Sequence, residues 1–357
     1  MKKIVIERPG GHAQLKIKEY PTPEPQKNEV LIEVTAAGVN FADIFIRLGL
    51  YKSAKEFVGW PITPGFEFSG TVVKCGREIS DLAEGTSVFG VTRFGAYATH
   101  VCVLRHHVFE IEGNSKFSND EWAAFPTVFL TAYHGLFHNL VLRPGMKILV
   151  HSAAGGVGSA LLQLGKIAAC QMTGVVGSSH KVNEARRNGA EFVIDKSKEN
   201  LWRKAEKISA GGFDAIFDGN GPATLKQSYR HLAPMGKLVT YGFHSMLSKR
   251  GGVFNYPKLA FQYFRVPRWS PLKMTNENKS LIAFNLSYLF NRTDLLKEAM
   301  QALMTWVAED RIKAPAVQRY PYDEVADAHR ALESGNTMGK LILKFGEYSM
   351  GDVDNHR

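Results

Sequence analysis

Short apolar segments alternating with polar residues dominate the first third of the chain. Val30-Leu31-Ile32-Glu33-Val34 and Thr71-Val72-Val73 lie between Gly and Pro turns, the period-two signal of strands with one buried face. From Lys3 to about Phe125 the pattern predicts an all-β region. Beyond Thr127 apolar strands alternate with helical segments of ten or more residues, the rhythm of βαβ units in a parallel sheet. A domain boundary is therefore expected near Pro126.

The second region offers strands at Lys147 to His151, Gly174 to Gly177, Phe192 to Asp195, Asp214 to Asp218, Lys237 to Tyr241 and Ile282 to Leu286. Six such strands predict an α/β doubly wound parallel six-stranded sheet. An amphipathic helix from Leu295 to Ala308, a helix from Tyr322 to Ser334 and a strand from Lys340 to Lys344 are expected to return to the first domain. Gly346 to Arg357 is polar without periodicity and reads as a flexible tail.

The sharpest chemical motif sits between the first strand of that sheet and a helical run starting at Ser159: His151-Ser152-Ala153-Ala154-Gly155-Gly156-Val157-Gly158. Ala154, Gly155, Gly156, Val157 and Gly158 are the expected phosphate cradle. A tight glycine turn lets backbone N–H groups at a helix start approach a pyrophosphate, which the helix dipole favours. An NAD site places an acid about twenty residues on, at the end of the second strand. Here that place reads Gly177-Ser178-Ser179-His180-Lys181, with no acid before Glu184. Ser178, Ser179 and Lys181, with Lys196 after the third strand, are expected to hold the 2′-phosphate of NADPH, which a carboxylate would repel.

Composition narrows the setting. At 45% apolar and 22% charged residues over 357 positions, the chain is neither disordered nor a disulfide miniprotein. The three cysteines, Cys75, Cys102 and Cys170, match no metal-ligand spacing and are expected to be free, buried thiols in a reducing, cytoplasmic setting. Met1-Lys2-Lys3 runs into an apolar segment too brief for a signal peptide, and no stretch is long and apolar enough to span a membrane. His134 and His138 are one helical turn apart without a third ligand nearby in sequence and read as ordinary helix residues.

The net charge of +10 is unevenly spread. Between Gly219 and Asn276 there are nine Lys or Arg residues and no acid, and Phe254, Tyr256, Phe261, Tyr263, Phe264 and Trp269 interleave with them. The segment 245–273 can lie weakly on an anionic membrane surface, hold a long acyl tail, or contact nucleic acid through its charges and rings; the plain alternative is a dimer-side or cleft-side insertion whose aromatics pack and whose charges face water. No nucleic acid is expected as a partner.

Gly38-Val39-Asn40-Phe41-Ala42-Asp43, Gly49-Leu50-Tyr51, Pro64-Gly65-Phe66-Glu67, the glycine turn and Lys237-Leu238-Val239-Thr240-Tyr241-Gly242 together resemble the medium-chain dehydrogenase/reductase superfamily. Within its zinc-free quinone oxidoreductase branch, the segment from Pro234 to Phe290 is most similar to vesicle amine transport protein homologues. The resemblance implies a GroES-like catalytic domain over 1–126 and 292–345, a Rossmann domain over 127–291, NADPH in the cleft between them, and a homodimer. It further implies Thr127 near the nicotinamide and Tyr241-Gly242 on the adenine-ribose side.

Zinc-dependent relatives have Cys where this chain has Asn40 and His where it has Phe66. One remaining carboxylate, Glu67, does not make a three-ligand site, so no metal is expected. Without a Lewis acid, reduction depends on placing a hydride donor beside an electrophilic carbon and stabilising the developing oxyanion. Tyr51 matches the tyrosine that related enoyl thioester reductases keep near the substrate carbonyl and is the first candidate to donate a proton; Asn40 is the second. Either can instead hold the cofactor or pack the cleft. The expected activity is an NADPH-dependent reductase of quinones or α,β-unsaturated carbonyl compounds, set against a non-catalytic NADPH-binding protein acting at a membrane.

Overall fold

A computed structural model describes residues 1–246 and 261–346. Lys249, Arg250, Phe254, Tyr256 and Lys258 of the basic segment, and the tail from 347 onward, lie outside the described residues.

The later region forms the expected parallel sheet. In spatial order its strands are Phe192–Asp195, Gln171–Val176, Lys147–Val150, Phe213–Asp218, Leu232–Thr240 and Ser280–Ala283, each parallel to its neighbour. The order reverses between Lys147–Val150 and Phe213–Asp218, and the crevice beyond the carboxyl ends at such a reversal is where open α/β sheets bind ligands. The last strand begins and ends earlier than its apolar run suggests. Asn285, whose side-chain oxygen accepts the Ser287 N–H at 3.0 Å, starts a short 3₁₀ turn at Leu286–Tyr288 and so ends the strand.

A seven-stranded sheet gathers Glu29–Val39, Glu67–Cys75, Ser87–Val91, His100–Leu104 and Val108–Glu110 with two strands from the far end of the chain, Val317–Pro321 and Lys340–Lys344. Lys340–Lys344 runs antiparallel to Glu29–Val39, with Leu341 opposite Val39. The early region is not all β. Asn40 introduces a helix at Phe41–Arg47, where the buried Asp43 carboxylate accepts the Asn40 N–H at 2.8 Å, and Ser118 with Glu121 makes a capping box for Asn119–Ala123. A further helix spans Lys52–Phe57. Polar caps at these points override the strand pattern.

Where the sheets meet, the helix Pro126–Tyr133 rests on an aromatic cluster. Phe89 stacks on Trp122 with ring centroids 4.2 Å apart, and Phe125 on Phe129 at 4.3 Å. Such pairs contribute about 0.5–1.5 kcal/mol each beyond their buried area, which stiffens the wall behind the cleft. The helix expected at 322–334 begins as a 3₁₀ turn and is α-helical over Val325–Ser334, ending at Gly335 with φ of 71°. The three cysteines are free but only partly buried. Among the described residues no helix is long and apolar enough to cross a membrane.

Candidate active site

The glycine turn takes the form its sequence demands. Gly155 is the N-cap of the helix Gly156–Ile167, and Ser152 adopts a positive φ of 54°. A Cβ on Gly156 would lie 2.8 Å from the Val128 side chain, and one on Gly158 would collide with the Ser152 carbonyl. Only glycine lets loop, helix and neighbouring helix approach this closely, leaving first-turn N–H groups at the crevice. The Gly339 N–H donates to the Ala154 carbonyl at 2.9 Å, so a loop from the end of the chain borders the turn. On the other side, Asp218 is fully buried; its carboxylate accepts the Asn220 and Gly221 N–H groups and the Ser228 hydroxyl at 2.9, 3.1 and 2.8 Å. The run Asp218-Gly219-Asn220-Gly221 is thus a turn held from beneath.

At the end of the second strand the residues separate into different roles. Ser178 and Ser179 stand beyond Val176, but the Ser179 hydroxyl donates to the Asp195 carboxylate at 2.6 Å. Adjacent parallel strands bring their carboxyl ends together, so Asp195 at the end of the third strand engages Ser179 in the turn after the second. The hydrogen bonds from Ser179 and Ser197 hold the Asp195 carboxyl below its usual range. Lys181 departs from its expected role: its ammonium donates to the Gly335 and Thr337 carbonyls at 2.7 and 2.9 Å, tying the loop after the last helix to this strand end. The Lys196 side chain runs alongside Gly177, its Cε 3.6 Å from where a Cβ on that glycine would sit.

The cleft floor is a buried polar network. Asn40 donates from Nδ2 to Glu67 Oε1 at 3.0 Å and accepts on Oδ1 from Lys340 Nζ at 2.6 Å. The same ammonium lies 2.7 Å from Glu67 Oε1, while Glu67 Oε2 accepts the Thr127 N–H at 2.7 Å. Glu67 is fully buried and Lys340 nearly so. The network explains the amide orientation of Asn40, whose oxygen faces a cation and whose nitrogen faces a carboxylate. Both ends of that amide are engaged, which makes Asn40 a bracket for the cleft wall.

Asn40, Thr127, Val157, Tyr241 and Gly242 all line one cavity of about 1110 Å³ between the two sheets, and Tyr51 faces them from across it. The remaining lining is largely aromatic and aliphatic, including Phe41, Phe45, Phe66 and Phe284. Tyr51 directs its hydroxyl to Asn285 Oδ1 at 3.0 Å, with Ser287 Oγ at 3.3 Å; Ser53 Oγ is 2.9 Å beyond Ser287. Burial raises the Tyr51 phenol above its ordinary value, so it stays protonated at neutral pH. His244 stacks on Phe41 with centroids 4.0 Å apart, and burial lowers it to about 4. Lys340, Asn285, Ser287 and His244 were not singled out from sequence. Their roles depend on partners hundreds of residues away, and no local spacing marks them.

Among the described residues no group of three or more His, Cys, Asp or Glu is gathered to hold a metal. Comparison with known proteins places the whole chain. Residues 26–113 match the alcohol dehydrogenase GroES-like domain, and 188–343 match the family described as zinc-binding dehydrogenase. A zebrafish (Danio rerio) synaptic vesicle membrane protein VAT-1 homolog is 33% identical over 95% of this chain and 69% of its own length. The human VAT-1 homolog-like structure superposes with a TM-score of 0.80 at 28% identity, over 98% of this chain and 99% of that one. The Escherichia coli quinone oxidoreductase complexed with NADPH superposes with a TM-score of 0.83 at 26% identity, over 96% of this chain and all of that one. The chain belongs to the medium-chain dehydrogenase/reductase superfamily of oxidoreductases, with VAT-1 homologues and quinone oxidoreductases as its relatives.

Proposed function

We propose that this protein is an NADPH-dependent, zinc-independent oxidoreductase that reduces quinones or α,β-unsaturated carbonyl compounds. The observation that carries the reading is a single cleft bounded by the glycine-turn helix on one side and the Tyr51 hydroxyl cluster on the other. The turn fits a dinucleotide because side chains there would close the approach to the helix start. We assign the pyrophosphate to the backbone of Ala154 to Gly158, the 2′-phosphate to Ser178 and Lys196, the adenine-ribose side to Tyr241 and Gly242, and the nicotinamide end to Thr127. The bound cofactor supplies hydride. Tyr51 supplies the proton or hydrogen bond that a developing enolate oxygen needs, and Asn40, braced by Glu67 and Lys340, shapes the wall beside it.

Zinc independence rests on charge and donor type. Asn40 and Phe66 are poor or null zinc ligands, and the Glu67 carboxylate is already paired with the Lys340 ammonium, a cation in the neighbourhood a metal would need. The test is NADPH consumption by purified protein with a panel of quinones, enones and enoyl thioesters, together with elemental analysis. Turnover with less than one zinc per several chains is expected. Activity lost to a chelator and restored by zinc would refute the metal-free reading.

A second reading, a cofactor-binding protein acting at a membrane surface, is favoured by the exposed Phe261, Tyr263, Phe264 and Leu272 beside Arg265, Arg268 and Lys273. Sedimentation with anionic but not neutral vesicles, weakened by salt, is its signature. A homodimer, the expected cytoplasmic setting and the division at 126/127 and 291/292 belong to the same proposal. Size-exclusion chromatography with light scattering reads the first.

A further inference from the structure

The helix Pro126–Tyr133 continues into a π turn, His134–His138. Such turns are rare and recur at functional sites. Here the turn lays the two imidazoles against each other, Nδ1 to Nδ1 at 3.0 Å, a spacing that requires one nitrogen to donate and the other to accept. His138 Nε2 is 3.4 Å from Glu298 Oε1, a carboxylate whose side chain is 59% exposed. His138 Nε2 is itself buried, so Glu298 is the group that links the pair to solvent.

Its other end borders a second, smaller cavity. Both histidines line a space of about 100 Å³ that shares Phe66, Thr127, Leu286 and Ser287 with the main cleft. At roughly 30 Å³ per molecule it accommodates about three waters, with hydroxyls of Thr92, Thr127 and Ser287 at its edge. Ser287 Oγ is 3.3 Å from the Tyr51 hydroxyl. The other charged groups facing this region are Arg292, which lines the cavity and pairs with Asp294 at 2.6 Å, and Glu298, which also accepts from Tyr133 at 3.4 Å. Burial and the neighbouring ring hold His134 at about 4, so it is neutral at pH 7 and able to pass a proton by taking one on one nitrogen and releasing one from the other.

We propose that His134 and His138 form a proton-delivery route that recharges Tyr51 through Ser287 and the small cavity. The inference rests on the reductase reading above. In the reaction a hydride brings two electrons and one proton to the β carbon, the C=C pair shifts to the bond between the α carbon and the carbonyl carbon, and the C=O π pair moves onto oxygen. That oxygen takes the phenolic proton of Tyr51. The phenolate regains it from the Ser287 hydroxyl, Ser287 from cavity water, the water from His134, His134 from His138, and His138 from the Glu298 carboxyl, which takes its proton from solvent. The substrate gains one hydride and one proton, and no other oxidant or reductant is required. His134 and His138 touch no substrate in this scheme and act through Tyr51.

Two measurements test it. In ¹⁵N-histidine NMR of the protein without cofactor, the two rings should show a shared Nδ1 proton that Glu298→Gln shifts. In steady-state turnover of an enone with saturating NADPH, His134→Gln should lower kcat at least ~10-fold, enlarge the solvent isotope effect and leave KM and NADPH affinity unchanged, with part of the rate restored by added imidazole. His138→Gln, beside Glu298, gives the same readings should His134→Gln fail to fold. Independent titration of the rings, or unchanged rate and isotope effect in the variants, overturns the route while wild-type turnover preserves the reductase reading. No wild-type turnover of any acceptor overturns both.

Discussion

The Lys340 ammonium lies 2.7 Å from Oε1 of the buried Glu67 carboxylate, whose Oε2 receives the Thr127 N–H. A residue of the last strand thus neutralises a residue of the first domain at the floor of the cleft. Lys340→Met should leave Glu67 charged and unpaired, at a cost of about 3–5 kcal/mol. Adding Glu67→Gln should recover most of that loss. Urea unfolding of the three proteins checks it; equal stability of Lys340→Met and wild type would show that the pair contributes nothing.

NADPH should bind at least ~10-fold more tightly than NADH, about 1.4 kcal/mol, which one charged contact to the 2′-phosphate can supply. Lys196→Ala should remove most of that preference. Lys181→Ala should instead loosen the 335–337 loop, weakening both cofactors alike, because its ammonium holds carbonyls there. Fluorescence titration of both variants with both cofactors separates the two roles.

Tyr51→Phe keeps the ring and deletes the bond to Asn285. Stability should fall by about 1 kcal/mol, the net value of a neutral hydrogen bond, while kcat with enones should fall ~100-fold or more at unchanged NADPH affinity. An unaltered rate would exclude Tyr51 as the required donor.

Stability should decline on acidification below neutrality. Burial lowers His107, His134 and His244 from 6.5 to about 4, so between these values the unfolded chain binds three protons that the folded chain refuses. Asp43 opposes this: burial raises its carboxyl from 3.8 to about 7, so the folded chain keeps one proton that the unfolded chain releases. Burial lowers His12, His100, His106, His151 and His329 in the same direction, so the balance leaves stability present above pH 6.5 and lost as pH falls toward 4. The urea midpoint followed over that range measures the slope, and His107→Gln should make it shallower. A flat profile would contradict these environments.

What the sequence made legible was what repeats locally. The six strands and the glycine turn follow from apolar runs and spacing, and the structure shows them in the expected parallel sheet. The strand Val317–Pro321 escaped notice because its residues are mostly partly exposed and carry Gln318 and Arg319 within the run. Asp195 was read only as a strand end, since sequence order hides which strands are neighbours. Lys181 looked like a phosphate contact because a cation near a phosphate site is indistinguishable, by spacing alone, from one spent on carbonyls.

The strand Lys340–Lys344 pairs with residues 36–39, and the glycine just before it grips the Ala154 carbonyl. During synthesis both partners have long left the ribosome before this strand is made. The nascent protein therefore carries an unfinished sheet edge at residues 36–39 and an uncompensated Glu67 beside the cleft until residue 340 emerges. Competence to hold a dinucleotide thus arrives with residue 340 rather than with the glycine turn itself.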